Sequence, residues 1–364
     1  MMALMGRPSY PAANANRLFP AIQITEDCFM AALILQTAGI TGLGMSFPDG
    51  KLTNADLEKM VETNHEWIVE RTGIIERRIA EKGVAASHHG SLAALKAIED
   101  ADLAPEDIDM IIVPTVTPDM MFPSTACIIQ EKIGATHAWG FDLSAACSGF
   151  VFGLEVARTH VMAGTAKRVL VVGTEIMNSI VDYTDRNVCI LFGDGAGAVV
   201  VEAVDPADGG IIDSICRIDG IGGKYLHQKA GGSLNPASHE TVDAGMHYIY
   251  QEGRDVYKYA VRGMANVALE VVEKNGFAKS DVTLMVPHQA NIRIIEAAQR
   301  RLGLTDEQVS ITIDRFGNTT SASIPSALQV ARDEGRVKKG DLIVLVSFGA
   351  GFTWGANLLR WCRD

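Results

Sequence analysis

A chain of 364 residues with 48% hydrophobic and 21% charged residues is too apolar for a disordered protein, and its 35 glycines follow no collagen-like repeat. Lys and Arg total 32 against 44 Asp and Glu, and the resulting charge of −12 speaks against a nucleic-acid binder. What remains is an enzyme-sized, intracellular α/β protein of two domains or one large one.

Residues 1–30, with Pro8, Pro11 and Pro20 in mixed polarity, read as an N-terminal tail, and Met30 is a candidate start of the folded protein. The apolar run 28–45 follows Glu26 and Asp27 and is interrupted by Gln36, Thr37 and Thr41, with Gly42 and Gly44 near its end. That pattern predicts a first core strand rather than a signal peptide or a membrane span. Thr53-x-x-Asp56 marks a helix start. Ala/Leu/Ile spacing predicts a helix over Ser87–Asp102, with Ser87 as its N-cap. MIIVP (110–114), AWGFDL (138–143) and RVLVVG (168–173) are apolar runs of strand length between helices, as in a largely parallel buried sheet. Cys147–Ala163 and Ser321–Gly335 carry apolar residues on more than one face, which predicts helices buried between layers. FGDGAGAVVV (192–201) contains G-x-G but continues as a strand, so a tight turn is expected and not a dinucleotide loop.

The chain also repeats itself. Ala94–Pro114 resembles Val267–Pro287 at a shift of 174, matching Glu99 with Glu273 and Asp107 with Asp281. The same shift sets Cys147 on Ser321, Phe150 on Ile324, Leu154 on Leu328 and Ala157 on Ala331, and RVLVVGTE (168–175) parallels DLIVLVSF (341–348). Two similar halves, 31–205 and 206–364, are expected, each running helix, strand, helix, strand, helix, strand and then paired strands.

Among six scattered cysteines there is no C-x-x-C pair, so reduced thiols are expected; Cys127, Cys189 and Cys216 read as core packing. Cys147, in DLSAACSGF, sits where a strand breaks into small residues and a helix begins. A thiol there faces unpaired N–H groups, which favour the thiolate, so Cys147 is the candidate nucleophile. His288, in VPHQANIRI, falls at a strand end, at the edge where functional loops gather in parallel sheets. Asn318 precedes the second central helix; alone it reads as a turn residue, but together the three make a thiol–acyl site. No His/Cys/carboxylate cluster has metal-ligand spacing.

With these residues the sequence resembles the 3-oxoacyl-[acyl-carrier-protein] synthase III family of the thiolase superfamily, from about Gln36 to Arg360. NHEWIVERTGIIERRIA, FPSTACIIQ, DLSAACSGF, DRNVCILFGDGAGA, VPHQANIRI, DRFGNTTSASIP and FGAGFTWG stand in family order. The resemblance implies the duplicated αβαβα thiolase-like fold. It implies an acyltransferase that condenses an acyl-CoA primer, acetyl-CoA first among candidates, with malonyl-ACP, releasing CO2 and CoA, to initiate fatty-acid synthesis. Cys147 would carry the acyl group, while His288 and Asn318 would hydrogen-bond the malonyl thioester. Backbone N–H groups of Cys147 and Ala350 would form the other oxyanion hole. Trp67, Arg71 and Arg186 would bind CoA. Arg293, with Gln289, Ala290, Asn291 and Ile292 beside it, and Lys258 would dock the acidic carrier protein, with Arg300 and Arg301 adding charge. Phe122 would reach the partner's acyl pocket in a cytoplasmic homodimer. No metal, cofactor, nucleic acid or membrane is implied. Asn64-His65 departs from the Ser-Asp of many relatives, and Gly220–Tyr250 follows the family pattern poorly and is expected at the pocket mouth. Alternatives are an acyltransferase or condensing enzyme of secondary metabolism and, from another class, a non-catalytic carrier-protein-binding homologue.

Overall fold

The computed structural model describes residues 36–363. The tail 1–30, Met30, Cys28 and the beginning of the 28–45 run lie outside them. From Thr37 that run is strand β1 (Thr37–Ser46), antiparallel to a later strand and buried along most of its length. A two-stranded ribbon follows, β2 (Lys51–Thr53) with β3 (Glu76–Arg78). Thr53 and Asp56 form the expected capping box. Between the ribbon strands, helix α1 (His65–Thr72) is capped by Asn64, whose side chain accepts from the Trp67 N–H, so the departure at 64 leaves a sound N-cap.

Helix α2 (Ala86–Asp100) begins earlier than expected, and Ser87 is not its cap. Ser87 is buried inside the first turn, and its N–H and hydroxyl both donate to Asp119. The cap is therefore a distant carboxylate that no local pattern reveals. β4 (Met110–Pro114), α3 (Thr125–Ile133), β5 (Trp139–Leu143), α4 (Gly149–Met162), β6 (Arg168–Glu175) and β7 (Gly195–Val204) complete a sheet of order β1-β7-β6-β4-β5. Side-chain alternation explains its burial on both faces. Met110 and Ile112 of β4 and Val169 and Val171 of β6 point to a central layer. Ile111, Val113, Leu170 and Val172 face α2 and α3 on the outside.

The second sheet runs β11-β12-β13-β8, from β8 (Gly210–Ile218), β11 (Leu284–Pro287), β12 (Leu342–Gly349) and β13 (Thr353–Arg360). A small hairpin, β9 (Leu226–Gln228) with β10 (Ile249–Gln251), stands apart. Helices α5 (Gly253–Lys274) and α6 (Ile292–Leu302) cover the outer face. Between the sheets, α4 packs with α7 (Ser323–Asp333) through Phe150, Leu154 and Ala157 against Ile324, Ala327 and Leu328. The layers thus run helix, sheet, helix, sheet, helix, and the expected 205/206 boundary falls between β7 and β8.

The repeat is sharper in structure than in sequence. β6 and β12, and α4 and α7, start at a shift of 174. For the strands this is one residue beyond the match of 168–175 with 341–348. A one-residue offset would exchange the faces, whereas at 174 Val169 and Val171 fall on Ile343 and Leu345, all in the central layer. The halves differ at the edge. The second-half counterpart of β5 is reduced to an isolated bridge at Val309, so the expected strand is absent there.

Candidate active site

Each central helix is entered through a tight elbow. Ala146 (φ 47°) precedes Cys147, and Thr320 (φ 45°) precedes Ser321, its repeat partner. Such conformations persist where surroundings over-determine them. Here the opposite half supplies the hold. Thr353 donates from Oγ1 to the Ala145 carbonyl at 2.8 Å, and Ser347 from Oγ to the Cys147 carbonyl at 2.7 Å. Reciprocally, Ser321 donates to the Pro114 carbonyl at 2.8 Å. Gly349, closing β12, lies so near that a Cβ on it would sit 2.7 Å from the Cys147 nitrogen. Gly349→Ala is therefore expected to push the Cys147 N–H off its line, slowing acylation about 100-fold by single-turnover mass spectrometry, and to lower Tm because the clash is with backbone.

A cavity of about 870 Å³ opens over Cys147 and is also lined by His288, Asn318 and Ala350. His288 follows β11 and is 1% exposed; its N–H donates to the Val346 carbonyl and its Nδ1 lies 2.7 Å from Ser323 Oγ. Its Nε2 has no protein partner. Burial pushes the imidazole down to about 3, so the ring is neutral at physiological pH. Asn318 is fixed by its backbone N–H to the Leu191 carbonyl, while its Oδ1 accepts the Thr320 N–H at 2.9 Å. With the oxygen so engaged, the amide NH2 is the end left for a ligand.

The thiol departs from expectation. Burial pushes Cys147 up to about 12. Desolvation outweighs the helix terminus, so the resting site holds a thiol and not a thiolate. Two other cysteine expectations also fail: Cys127 and Cys216 are exposed, while Cys189 is buried as expected.

Trp67 and Arg71 line the same cavity, with the Arg71 guanidinium 4.6 Å from the indole centroid and that of Arg186 at 5.3 Å. Arg186 touches Trp67 without lining the cavity. Ala290, Asn291, Arg293 and Lys258 do line it; Arg293 is ion-paired to Glu70 at 3.3 Å and Lys258 to Asp255 at 3.2 Å. Ile292 opens α6. The Gln289 side chain is turned inward. It is 1% exposed, donates from Nε2 to the Pro287 and Ser310 carbonyls, and accepts the Thr312 and Ile313 N–H groups. Arg300 pairs with Glu296 on the last turns of α6, away from the cavity. Phe122 is 84% exposed beside Met121. The 220–250 region does reach the mouth, through Leu226, His227, Gln228 and Ile249. Sequence reading missed Ser323, Ser347 and Glu175; the signal available was polar residues inside apolar runs, as in LIVLVSFG. Among the described residues no group of His, Cys, Asp or Glu is placed to hold a metal. No helix among them is long and apolar enough to cross a membrane.

Family models described as 3-oxoacyl-[acyl-carrier-protein (ACP)] synthase III and its C-terminal part match residues 141–220 and 272–361. The chain is 55% identical over 326 residues to the beta-ketoacyl-[acyl-carrier-protein] synthase III of Solibacter usitatus, spanning 89% of this chain and 98% of that protein. It belongs to the beta-ketoacyl-[acyl-carrier-protein] synthase III family. The synthase III of Caldanaerobacter subterraneus subsp. tengcongensis is 52% identical over 326 residues, 90% of this chain and 98% of its own length. The crystal structure of the Aquifex aeolicus synthase III superposes with a TM-score of 0.82 at 44% identity, covering 89% of this chain and 100% of that one. The thiolase-like fold and the assignment as an acyl-transferring condensing enzyme of fatty-acid biosynthesis, a synthase III, follow.

Proposed function

We propose that this synthase III takes an acyl group from acyl-CoA onto Cys147, acetyl-CoA being the expected primer, and condenses it with malonyl-ACP. The observation that carries this reading is the convergence, in one cavity, of a buried thiol at an elbow, an unpartnered His288 Nε2 and the free amide of Asn318. In the first half-reaction the Cys147 sulfur bonds to the acyl carbon, the C–S bond to CoA breaks, and the thiol proton leaves on CoA. The N–H groups of Cys147 and Ala350 hold the transient oxyanion. Cys147 N–H lies in the first turn of a 3-10 helix, where no preceding turn supplies a carbonyl.

In the second half-reaction malonyl-ACP loses CO2 and the electron pair moves into its thioester carbonyl. When the Ser323 hydroxyl, which also lies 2.9 Å from the Thr320 carbonyl, turns its proton to Nδ1, the ring proton of His288 stands on Nε2, which faces the cavity and donates to that oxygen together with Asn318. Two neutral donors in a dry site stabilise the enolate without proton transfer. Its carbon then attacks the acyl-Cys147 carbonyl, the S–C bond breaks, and the released thiolate regains a proton from solvent. Nothing in this sequence calls for a resident metal or cofactor.

Trp67 offers a flat face for the adenine, with Arg71 and Arg186 for the phosphates of CoA. Arg293 and Lys258, both exposed at the mouth, suit an acidic carrier protein, with Ala290, Asn291 and Ile292 shaping the segment. Two features support a homodimer: β5 is an edge strand bearing the half-exposed Trp139, and Phe122 and Met121 stand out in solvent. The enzyme is placed in the cytoplasm with its thioester substrates. Incubation with a mixture of acyl-CoAs should add one acyl mass to the Cys147 peptide, and malonyl-ACP should then discharge it as 3-oxoacyl-ACP. An unmodified Cys147, or an adduct that malonyl-ACP cannot discharge, sinks the reading.

A further inference from the structure

The two elbows share a backbone but not an environment. Beside Cys147 the repeat partner of Glu175 is Gly349, which has no side chain and lies directly against the Cys147 backbone. Beside Ser321 the corresponding place is filled by the Glu175 carboxyl, wholly buried at the end of β6. What occupies the second elbow is thus a side chain of the protein itself.

The hydrogen bonds around Glu175 fix its protonation. Ser321 Oγ lies 2.8 Å from the Pro114 carbonyl and 2.8 Å from Glu175 Oε1. A hydroxyl has one proton, and a carbonyl can only accept. With the Ser321 proton on Pro114, the proton between Ser321 and Glu175 must belong to Glu175. An ionised Glu175 would set lone pairs against each other at one of these contacts, in a site where unmatched polar groups are costly. Oε2 plays the complementary part. It accepts the Thr117 hydroxyl at 2.8 Å, the Val116 N–H at 3.1 Å and the Thr115 hydroxyl at 3.2 Å, as the carbonyl oxygen of an acid can. None of these donors is a Lys or Arg. Burial, in turn, pushes the carboxyl up against the hydrogen bonds it accepts.

We propose that Glu175 is a neutral carboxylic acid, hydrogen-bonded through its own proton to Ser321, and that it is the positioning residue that seats the Asn318 loop over Cys147. The path is short. Glu175 grips Ser321; the preceding Thr320 donates its N–H to Asn318 Oδ1 and so turns the Asn318 amide toward substrate. On the other side Glu175 holds Val116, which lines the cavity with Cys147. The titratable groups that an ionised Glu175 would raise are Cys147 and Asp194. As a neutral acid Glu175 places no anion beneath the thiol that must ionise as it attacks. This consequence rests on Cys147 being the nucleophile; the protonation of Glu175 does not.

Infrared spectroscopy of the full chain at pH 8 tests the protonation directly. Asp194, pushed up to about 6 by burial, is ionised at that pH. A carboxylic-acid carbonyl band that shifts in D2O and vanishes in Glu175→Gln is the expected result, and a spectrum unchanged by that substitution overturns the proposal. Gln keeps one donor and one acceptor, so the alkylation profile of Cys147 against pH should superimpose on that of the parent. A profile displaced about one unit to lower pH in Glu175→Gln would reveal an anion in the parent and also overturn it. Glu175→Leu removes the grip and should lower the condensation rate about tenfold or more at unchanged acylation, with Gln restoring it. Equal condensation by the parent, Gln and Leu proteins would remove the positioning role; if the Leu protein fails to fold, the infrared and alkylation results still decide. Loss of acylation in the parent itself would instead count against Cys147 as nucleophile.

Discussion

Cys147→Ala is expected to abolish acyl-enzyme formation and to lower 3-oxoacyl-ACP production by about 10⁴-fold or more, while slow decarboxylation of malonyl-ACP persists. The split follows from where the groups sit. Cys147 alone offers a sulfur to the primer, whereas His288 and Asn318, anchored by Ser323 and by the Thr320 N–H, keep their places without it. The measurement is intact-protein mass after acyl-CoA, paired with CO2 release from labelled malonyl-ACP. In the parent, the thiol held up to about 12 makes the alkylation rate rise with pH across the neutral range, about tenfold per unit, because the thiolate fraction grows until the thiol's own value is reached. Full condensation by Cys147→Ala would end the thioester route.

His288→Ala should do the reverse. Loss of one enolate donor in a dry cavity costs about 10²–10³-fold in decarboxylation and condensation, with acylation of Cys147 changed only a few-fold. The sign of its pH dependence is definite. A histidine held down to about 3 gains its charge only in strong acid, so between pH 5 and 9 the condensation profile of the parent carries no inflection from His288. An imidazolium acting as general acid would instead give a limb that falls as pH rises through its pKa. Such a limb, lost in His288→Ala, would replace the neutral-donor role with proton transfer.

Much of this site was legible in the chain. Strands of the buried sheets announced themselves as apolar runs such as MIIVP, because both faces are covered and no polar alternation is needed. The elbows were legible as small residues at a strand-to-helix break. What stayed hidden is long-range. Asp119 capping α2 and Ser347 holding the Cys147 carbonyl join residues far apart in sequence, and no local pattern encodes such a meeting. Gln289 misled for a related reason. It stands in the segment proposed to dock carrier protein, but its amide is committed to the Pro287, Ser310, Thr312 and Ile313 backbone. The thiol misled because a helix terminus is visible in sequence and the depth of burial is not.

The cross-bracing of the elbows bears on how the molecule can be divided. Ala145 and Cys147 are held by Thr353 and Ser347, and Ser321 by Pro114, so each half carries the scaffold for the other's turn. A polypeptide ending near 205 would contain the sulfur but neither Ala350 nor His288, and its elbow would lose the contacts that keep Ala146 at positive φ. The remaining fragment would keep His288 and Asn318, the proposed enolate donors, without the thiol proposed to carry the acyl group. Activity is in that sense a property of the seam, restored in trans only if the two pieces rebuild the layer of α4 on α7.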